Sequence, residues 1–246
     1  MSGSAAASDG AHRFGALLDG HGALQPDGRA GHDDAVAAVE DARGLGGVRR
    51  GVLDGLRFVE DDRGELEILE VDDVAAKRAL VESESVRILR RRGDLIITET
   101  THGFICANSG VDLSNVERGY AALLPIDSDR SARRVRDIVR ARLGVSVGVI
   151  VSDTFGRPWR KGLTDVAIGV AGIAGVVDLR GTPDSLGRIM QVTEVAVADE
   201  IAAAAELVMG KSSGIPVAVV RGVDAEWMRE SNVQELVRPA QEDLFR

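Results

Sequence analysis

The chain has a single cysteine, Cys106, among its 246 residues. That excludes an intrachain disulfide and a metal cluster built on thiolates. Its place in the apolar stretch FICA points to a small buried residue. Aromatic side chains are also scarce, at 3% of the chain, so alanine, valine, leucine and isoleucine must make most of the core. No apolar run is long enough for a membrane span, and no charged-then-apolar leader for export is seen. The expectation is a cytoplasmic protein without a membrane partner. Surplus positive charge is absent too. A net charge of −9 argues against a general nucleic-acid binder, because phosphate contacts need a cationic surface, although it leaves room for a local cationic pocket. The remaining composition, 44% hydrophobic and 28% charged, is that of a globular protein with one large domain or two small ones.

Residues 1–52 differ in character from the rest of the chain. They are rich in Gly, Ala, Asp and Arg and poor in β-branched residues, a composition compatible with disorder. They hold His12, His21 and His32, whose spacings of nine and eleven fit no common metal site. Within them only DDAVAAVEDARGLGG suggests a helix, with Gly44 as its stop. The folded domain is expected over 53–246. LRFVEDD and ELEILEV read as strands around a turn at Asp62-Arg63-Gly64. DDVAAKRALVESESVRILRRR reads as one charged helix with apolar Val74, Leu80, Val81, Val86 and Leu89, stopped by Gly93. Its Arg90, Arg91 and Arg92 would complement the helix dipole. DLIITET is a strand. SDRSARRVRDIVRARLGV is a helix with a stripe of Val135, Ile138, Val139 and Leu143, capped by Ser131 or Asp129 and ended by Gly144. VSVGVIVSD is a buried strand that delivers Asp153 and Thr154 at its end. Residues 166–180 fit a strand or a tightly packed helix equally. VTEVAVADEIAAAAELVMG is a helix of about five turns closed by Gly210, and VAVVRG is a strand. Strands and helices interleave without a regular βαβ repeat, which favours an α+β fold with mixed or antiparallel sheets and packed helices.

Three loops carry groups suited to chemistry. In HGFICANSGVDLSNVERG, Asn108 and Gly110 mark a turn, and Asp112 and Asn115 lie three apart. Two readings stay open there: Asp112 caps a helical turn, or both side chains offer oxygen ligands to a hard divalent cation. In SDTFGRPWRKGLTDVAIG, Asp153 and Thr154 offer a carboxylate and a hydroxyl, while Arg157, Arg160 and Lys161 can neutralise phosphate oxygens. Metal and fixed cations together are what phosphoryl transfer needs. Trp159 suits stacking on a planar ring or packing on its own loop. In MGKSSGIP, Lys211, Ser212, Ser213 and two glycines can wrap phosphates through backbone N–H groups. This is not a P-loop, because the loop comes after a helix instead of opening one. Together the loops point to a divalent-metal nucleotide enzyme.

GVDLSN, SDTFGRPWRKGLTDVAIG, DLRGTPDSLGR, VTEVAVADEIAAAAELVMGKSSGIPVAVVRG and LVRPAQEDLFR resemble the coenzyme F420-0:γ-glutamyl ligase family, which includes the N-terminal ligase domain of bifunctional mycobacterial enzymes. The likeness runs from about Val74 to the C-terminus. It implies an α+β fold, a homodimer and a GTP-dependent ligase. That ligase would activate the terminal carboxylate of F420-0 as an acyl phosphate, join L-glutamate to it, and extend F420-1 by γ-linked glutamates. It also implies Mg²⁺ or Mn²⁺ at two sites, with K⁺ as a helper. Carried over by motif, Asp112 and Asp153 would hold one metal and Thr154 a second. Asn115 would contact GTP, and Met209, Gly210, Lys211, Ser212, Ser213 and Gly214 would lie along the nucleotide. Arg157 and Arg160 are added as phosphate or substrate partners from their charge alone. The chain departs from the family near its start: no strand followed by Ser-Lys is found in residues 1–52, and the first lysine is Lys77. The alternative reading is therefore a non-catalytic deazaflavin- or nucleotide-binding relative.

Overall fold

The computed structural model of the chain describes residues 37–40, 68–70, 74–114, 120–213 and 215–244. The central sheet contains β1 (Ala37–Glu40), β7 (Val149–Arg157), β8 (Arg160–Ala171) and β11 (Val217–Val219) in the order β11-β1-β7-β8. β1 runs parallel to β7 and antiparallel to β11, and β7 and β8 form an antiparallel hairpin. A second sheet joins β3 (Ser85–Arg92), β4 (Leu95–Thr100) and β5 (Ile105–Ala107), all antiparallel. Two small antiparallel pairs complete the strands among the described residues. One is β2 (Ile68–Glu70) with β6 (Tyr120–Ala122), and the other is β9 (Val177–Asp178) with β10 (Glu194–Val195). The helices are α1 (Val74–Ser83), α2 (Ser128–Leu143) and α3 (Val197–Met209). The fold is α+β, as its interleaved pattern indicated.

The apolar run from Val166 to Ala171 is a strand, and it is apolar because both its faces are buried. Ala167 and Val170 pack with Ile150, Ala198, Ile201 and Ala202 on the α3 side. Ile168 and Ala171 pack with Val149, Val151 and Ala132 on the α2 side. A register shift opposite Val151 and Ser152 lets residues 167 and 170 share a face despite their odd spacing. Among the described residues β8 has a strand partner on one edge only, and α-helical carboxylates serve the other. Val170 N–H donates to Asp129 Oδ1 at 2.8 Å, and Ala167 N–H donates to Asp199 Oδ1 at 2.9 Å. Asp129 also accepts from Val233 N–H at 3.1 Å, which pins the C-terminal segment to the same place. Burial pushes both carboxyls above their usual range, and outweighs the N–H bonds that pull them down.

α2 starts where Asp127 accepts from Arg130 N–H at 2.8 Å, so the cap is Asp127 and neither Ser131 nor Asp129. It stops at Gly144 in the left-handed conformation, as expected. α3 is shorter than five turns, because Glu194 and Val195 pair with β9 before it begins.

Two expected helices are corrected. Residues 37–40 of the predicted helix over 33–47 are a strand. β7 and β11 flank that segment and offer it hydrogen bonds on both sides, and such pairing overrides the helix propensity of alanine. The long helix over 72–92 ends at Ser83. There Ser83 Oγ donates to Leu80 O at 2.8 Å and Ser85 Oγ to Glu82 O at 2.9 Å. These serines take up terminal helical carbonyls, and the chain then reverses into β3. Arg90, Arg91 and Arg92 thus lie on a strand, and Gly93, at φ +61, makes the turn into β4. The predicted strand LRFVEDD, the Asp62-Arg63-Gly64 turn, His12, His21 and His32 lie outside the described residues. Cys106 is buried, as expected.

Gly169 sits where α2 begins against β8: a Cβ there would stand 2.4 Å from the Ser128 carbonyl. Gly169→Ala should therefore lower stability by about 1–3 kcal/mol in urea unfolding, the usual range for overpacking. Gly156→Ala, with nothing within 4 Å of its Cβ, should stay within about 0.5 kcal/mol. Equal stability of the two variants would contradict this packing.

Candidate functional site

The loop bearing Asp112 is held by an unusual turn. Asn108, Ser109 and Gly110 have φ of 52°, 55° and 72°, and two of them carry a Cβ that disfavours this region by roughly 1–2 kcal/mol each. Buried hydrogen bonds hold it in place. Ser109 Oγ lies 2.8 Å from Val81 O, Ser109 N–H donates to Thr98 Oγ1 at 3.0 Å, and Asn108 Oδ1 accepts from Ile96 N–H at 3.2 Å. Asp112 comes next but one, and its N–H and C=O bond with Ala122 at 3.0 and 2.9 Å. Its carboxylate accepts from Ser114 N–H at 2.9 Å and Ser114 Oγ at 2.6 Å, as an Asp that organises its own turn does. Oδ2 also stands 3.9 Å from Lys211 Nζ. Two loops that are distant in sequence therefore meet. Asn115 and Gly214 lie outside the described residues.

The stretch from Ser152 to Lys161 is a hairpin and not a loop at the end of a strand. β7 continues through Asp153 and Thr154 to Arg157, and β8 leaves from Arg160. This corrects the expectation that Asp153 and Thr154 end a strand: pairing with β8 carries the strand on past them. Arg157, Arg160 and Lys161 are exposed near the hairpin tip, and Arg157 Nη2 donates to Lys161 O at 3.2 Å. Trp159, at φ 57°, is 79% exposed at the turn. Strand alternation sends Ser152 and Thr154 to the face that carries Ile150, toward α3, and Asp153 to the face of Val151 and Phe155. Asp153 is 3% exposed, and its Oδ1 accepts from Thr154 N–H at 2.7 Å.

Opposite Thr154 in register lies Asp165, only 1% exposed. It accepts from Ser152 Oγ at 2.9 Å and from Thr154 Oγ1 at 3.0 Å. Glu206, on α3, faces this pair. Burial, then the charge of Asp165, raise its carboxyl above the usual range, and Lys211 pulls it down. Glu206 Oε2 is buried without a hydrogen-bond partner. Asp165 and Glu206 were not singled out in the sequence. The available signals were one acid in the apolar run DVAIGVA and one in the alanine run AAAAELV. After α3, Gly210 takes φ 63°, and Ser213 Oγ bonds back to Met209 O. The Met209 side chain is buried against Ala205, Ala218 and Ile215, whereas Lys211, Ser212 and Ser213 are exposed.

Asp112 thus meets Lys211, and Asp165 meets Thr154, while Glu206 feels the charges of both Asp165 and Lys211. Among the described residues, no group of three or more His, Cys, Asp or Glu is set to hold a metal. A separate cleft of about 440 Å³ is lined by Lys77, Arg78, Val81, Glu82, Asp94 and Asn108, and contains none of the candidate site residues. No helix among the described residues is long and apolar enough to cross a membrane.

The raised carboxyl of Glu206 fixes a sign. A carboxyl whose folded value lies above its unfolded 4.5 stabilises the fold below that pH and loses this contribution as the pH rises through the folded value. Glu206→Gln should therefore melt higher than the parent at pH 7, and the advantage should shrink as the pH falls toward 4.5. A difference in melting temperature that does not change with pH would contradict the placement of Glu206.

Residues 44–222 match the model of the family described as F420-0:Gamma-glutamyl ligase. The chain is 46% identical over 165 residues to the protein of Methanothermobacter thermautotrophicus named Coenzyme F420:L-glutamate ligase, covering 66% of each chain. It is 46% identical over 164 residues to the protein of that name from Methanocaldococcus jannaschii, covering 66% of this chain and 65% of the relative. The similarity thus spans slightly less than two thirds of the length of each relative. With most of its length matched by the family, the chain belongs to the F420-0:γ-glutamyl ligases.

Proposed function

We propose that the chain joins L-glutamate to coenzyme F420-0 at the expense of GTP, and adds further γ-linked glutamates to F420-1. The observation that carries the reading is the meeting of Asp112 and Lys211, 3.9 Å apart, from two loops of the family-matched region. The names of the relatives supply the substrate class.

In this reading a carboxylate oxygen of F420-0 attacks the γ-phosphorus of GTP, GDP leaves, and an acyl phosphate forms. The glutamate amine then attacks the acyl carbon, phosphate departs, and the amine loses a proton. A carboxylate and a triphosphate repel each other, so fixed positive charge has to hold them in line. Lys211 would supply part of it, with Gly210, Ser212, Ser213 and Gly214 along the nucleotide. Met209, whose side chain is buried, would contribute only backbone. Asn115 would contact GTP, and Arg157 and Arg160 would reach substrate phosphates from the hairpin tip.

The donor set fits Mg²⁺ or Mn²⁺. Asp112 and Asp153 would be the hard oxygen donors for one ion, and Thr154, on the other face of β7, a donor for a second. Such ions are held by one or two carboxylates with substrate phosphates completing the shell, so a closed cage of side chains is not required. The bound ions, with K⁺ as a helper, would neutralise charge on the transferred phosphoryl group. The enzyme would act in the cytoplasm as a homodimer.

Purified protein given F420-0, L-glutamate, GTP and Mn²⁺ should yield a product heavier by one or more glutamyl units, with GDP release that needs both co-substrates. Asp153→Asn should reduce that turnover by at least about a hundredfold, the scale of losing a fixed charge-stabilising group, while keeping its melting temperature. Full activity of Asp153→Asn would sink the metal assignment. Binding of GTP or F420-0 without turnover would favour the non-catalytic reading, which the missing Ser-Lys segment supports.

A further inference from the structure

We propose that Asp165 is the positioning residue for Thr154: by accepting the Thr154 hydroxyl hydrogen, it turns the oxygen lone pairs toward the cation and phosphate side of the site. The inference rests on the reading that Thr154 donates to a divalent cation. Three observations carry it. First, Asp165 is all but fully buried, yet both its oxygens are used, one by Ser152 Oγ at 2.9 Å and the other by Thr154 Oγ1 at 3.0 Å. In both contacts the hydroxyl donates and the carboxylate oxygen accepts, so each hydroxyl spends its one hydrogen on Asp165 and the rotor of Thr154 is fixed. Secondly, Thr154 is only half-buried, whereas Ser152 and Asp165 beside it are buried, so of the three it is the one within reach of a ligand. Thirdly, a stability role alone gives a poor account of Asp165. Burying a carboxylate inside a strand pair is costly, and Glu206 Oε2 stands unpartnered nearby and adds like charge.

Ser152 has a separate part. It is fully buried, so its hydroxyl has no route to a ligand. It occupies the second carboxylate oxygen and holds the plane of Asp165 so that the first oxygen meets Thr154. Outer partners of this kind typically change metal affinity by about 10- to 100-fold.

The test is a double-mutant cycle read by Mn²⁺ binding, measured by electron paramagnetic resonance in the presence of a non-hydrolysable GTP analogue, with melting temperature recorded for each variant. Asp165→Asn should weaken Mn²⁺ binding roughly tenfold, and Thr154→Val should weaken it by a similar factor. The double variant should match Thr154→Val alone, because the carboxylate acts through that hydroxyl. Thr154→Ser, which keeps the hydroxyl, should restore binding. If Asp165→Asn fails to fold, Asp165→Ser, a smaller polar replacement, takes its place in the cycle. Losses that multiply in the double variant would overturn the inference, as would unchanged Mn²⁺ binding in Asp165→Asn when Thr154→Val is impaired. If the parent protein binds no Mn²⁺, or Thr154→Val binds it normally, the reading of Thr154 as a ligand fails and the inference falls with it.

Discussion

A strand buried on both faces has no water for its outer edge, and the second half of β8 is such a strand. Its N–H groups at Ala167 and Val170 turn away from β7 and would be left unpaired without Asp199 and Asp129. Each missing bond would cost about 1–3 kcal/mol, and each aspartate is itself raised by burial. The two bonds set where the helices go. Asp129 anchors the start of α2 and, through Val233, the C-terminal segment, while Asp199 anchors the first turn of α3. The close approach at Gly169 belongs to the same arrangement, because α2 can meet β8 there only without a side chain.

The site inherits this frame. Once α3 is fixed against β8, its last turn brings Glu206 toward Asp165 and the loop after it brings Lys211 to Asp112. The hairpin itself supplies Ser152, Thr154 and Asp165 on one face and Asp153 on the other. Negative charge is thus gathered in a half-buried place where water screens poorly, and cations gain the most there. The left-handed turn at Asn108 to Gly110 does for Asp112 what β8 does for Asp165. It is backbone strain held by buried hydrogen bonds, at the point from which the loop reaches the site.

Where an element announces itself locally, the sequence made it legible. α2 has its stop at Gly144 and packs Val135 on the core, although Leu143 at the end of the expected stripe is exposed; β4 has its β-branched residues, and the segments with Asp112, Asp153, Thr154 and Lys211 stand out by their composition. Other features depend on partners far along the chain. Ala37–Glu40 becomes a strand because β7 and β11 lie on either side of it, and nothing in AAVE says so. Residues 85–92 look helical beside α1, but two serines take its last carbonyls and β4 offers an edge. Asp165 and Glu206 each resemble an ordinary solvated acid. Their meeting is set by the register of the hairpin and by α3, neither of which is written next to them.

Three segments remote in sequence are proposed to make one nucleotide and metal site. Amide hydrogen exchange, with and without GTP and Mn²⁺ together, tests it most directly. Residues 110–114, 152–156 and 209–213 should slow together, and only when both ligands are present. Slowing confined to one of these segments, or found in none of them, would contradict the claim.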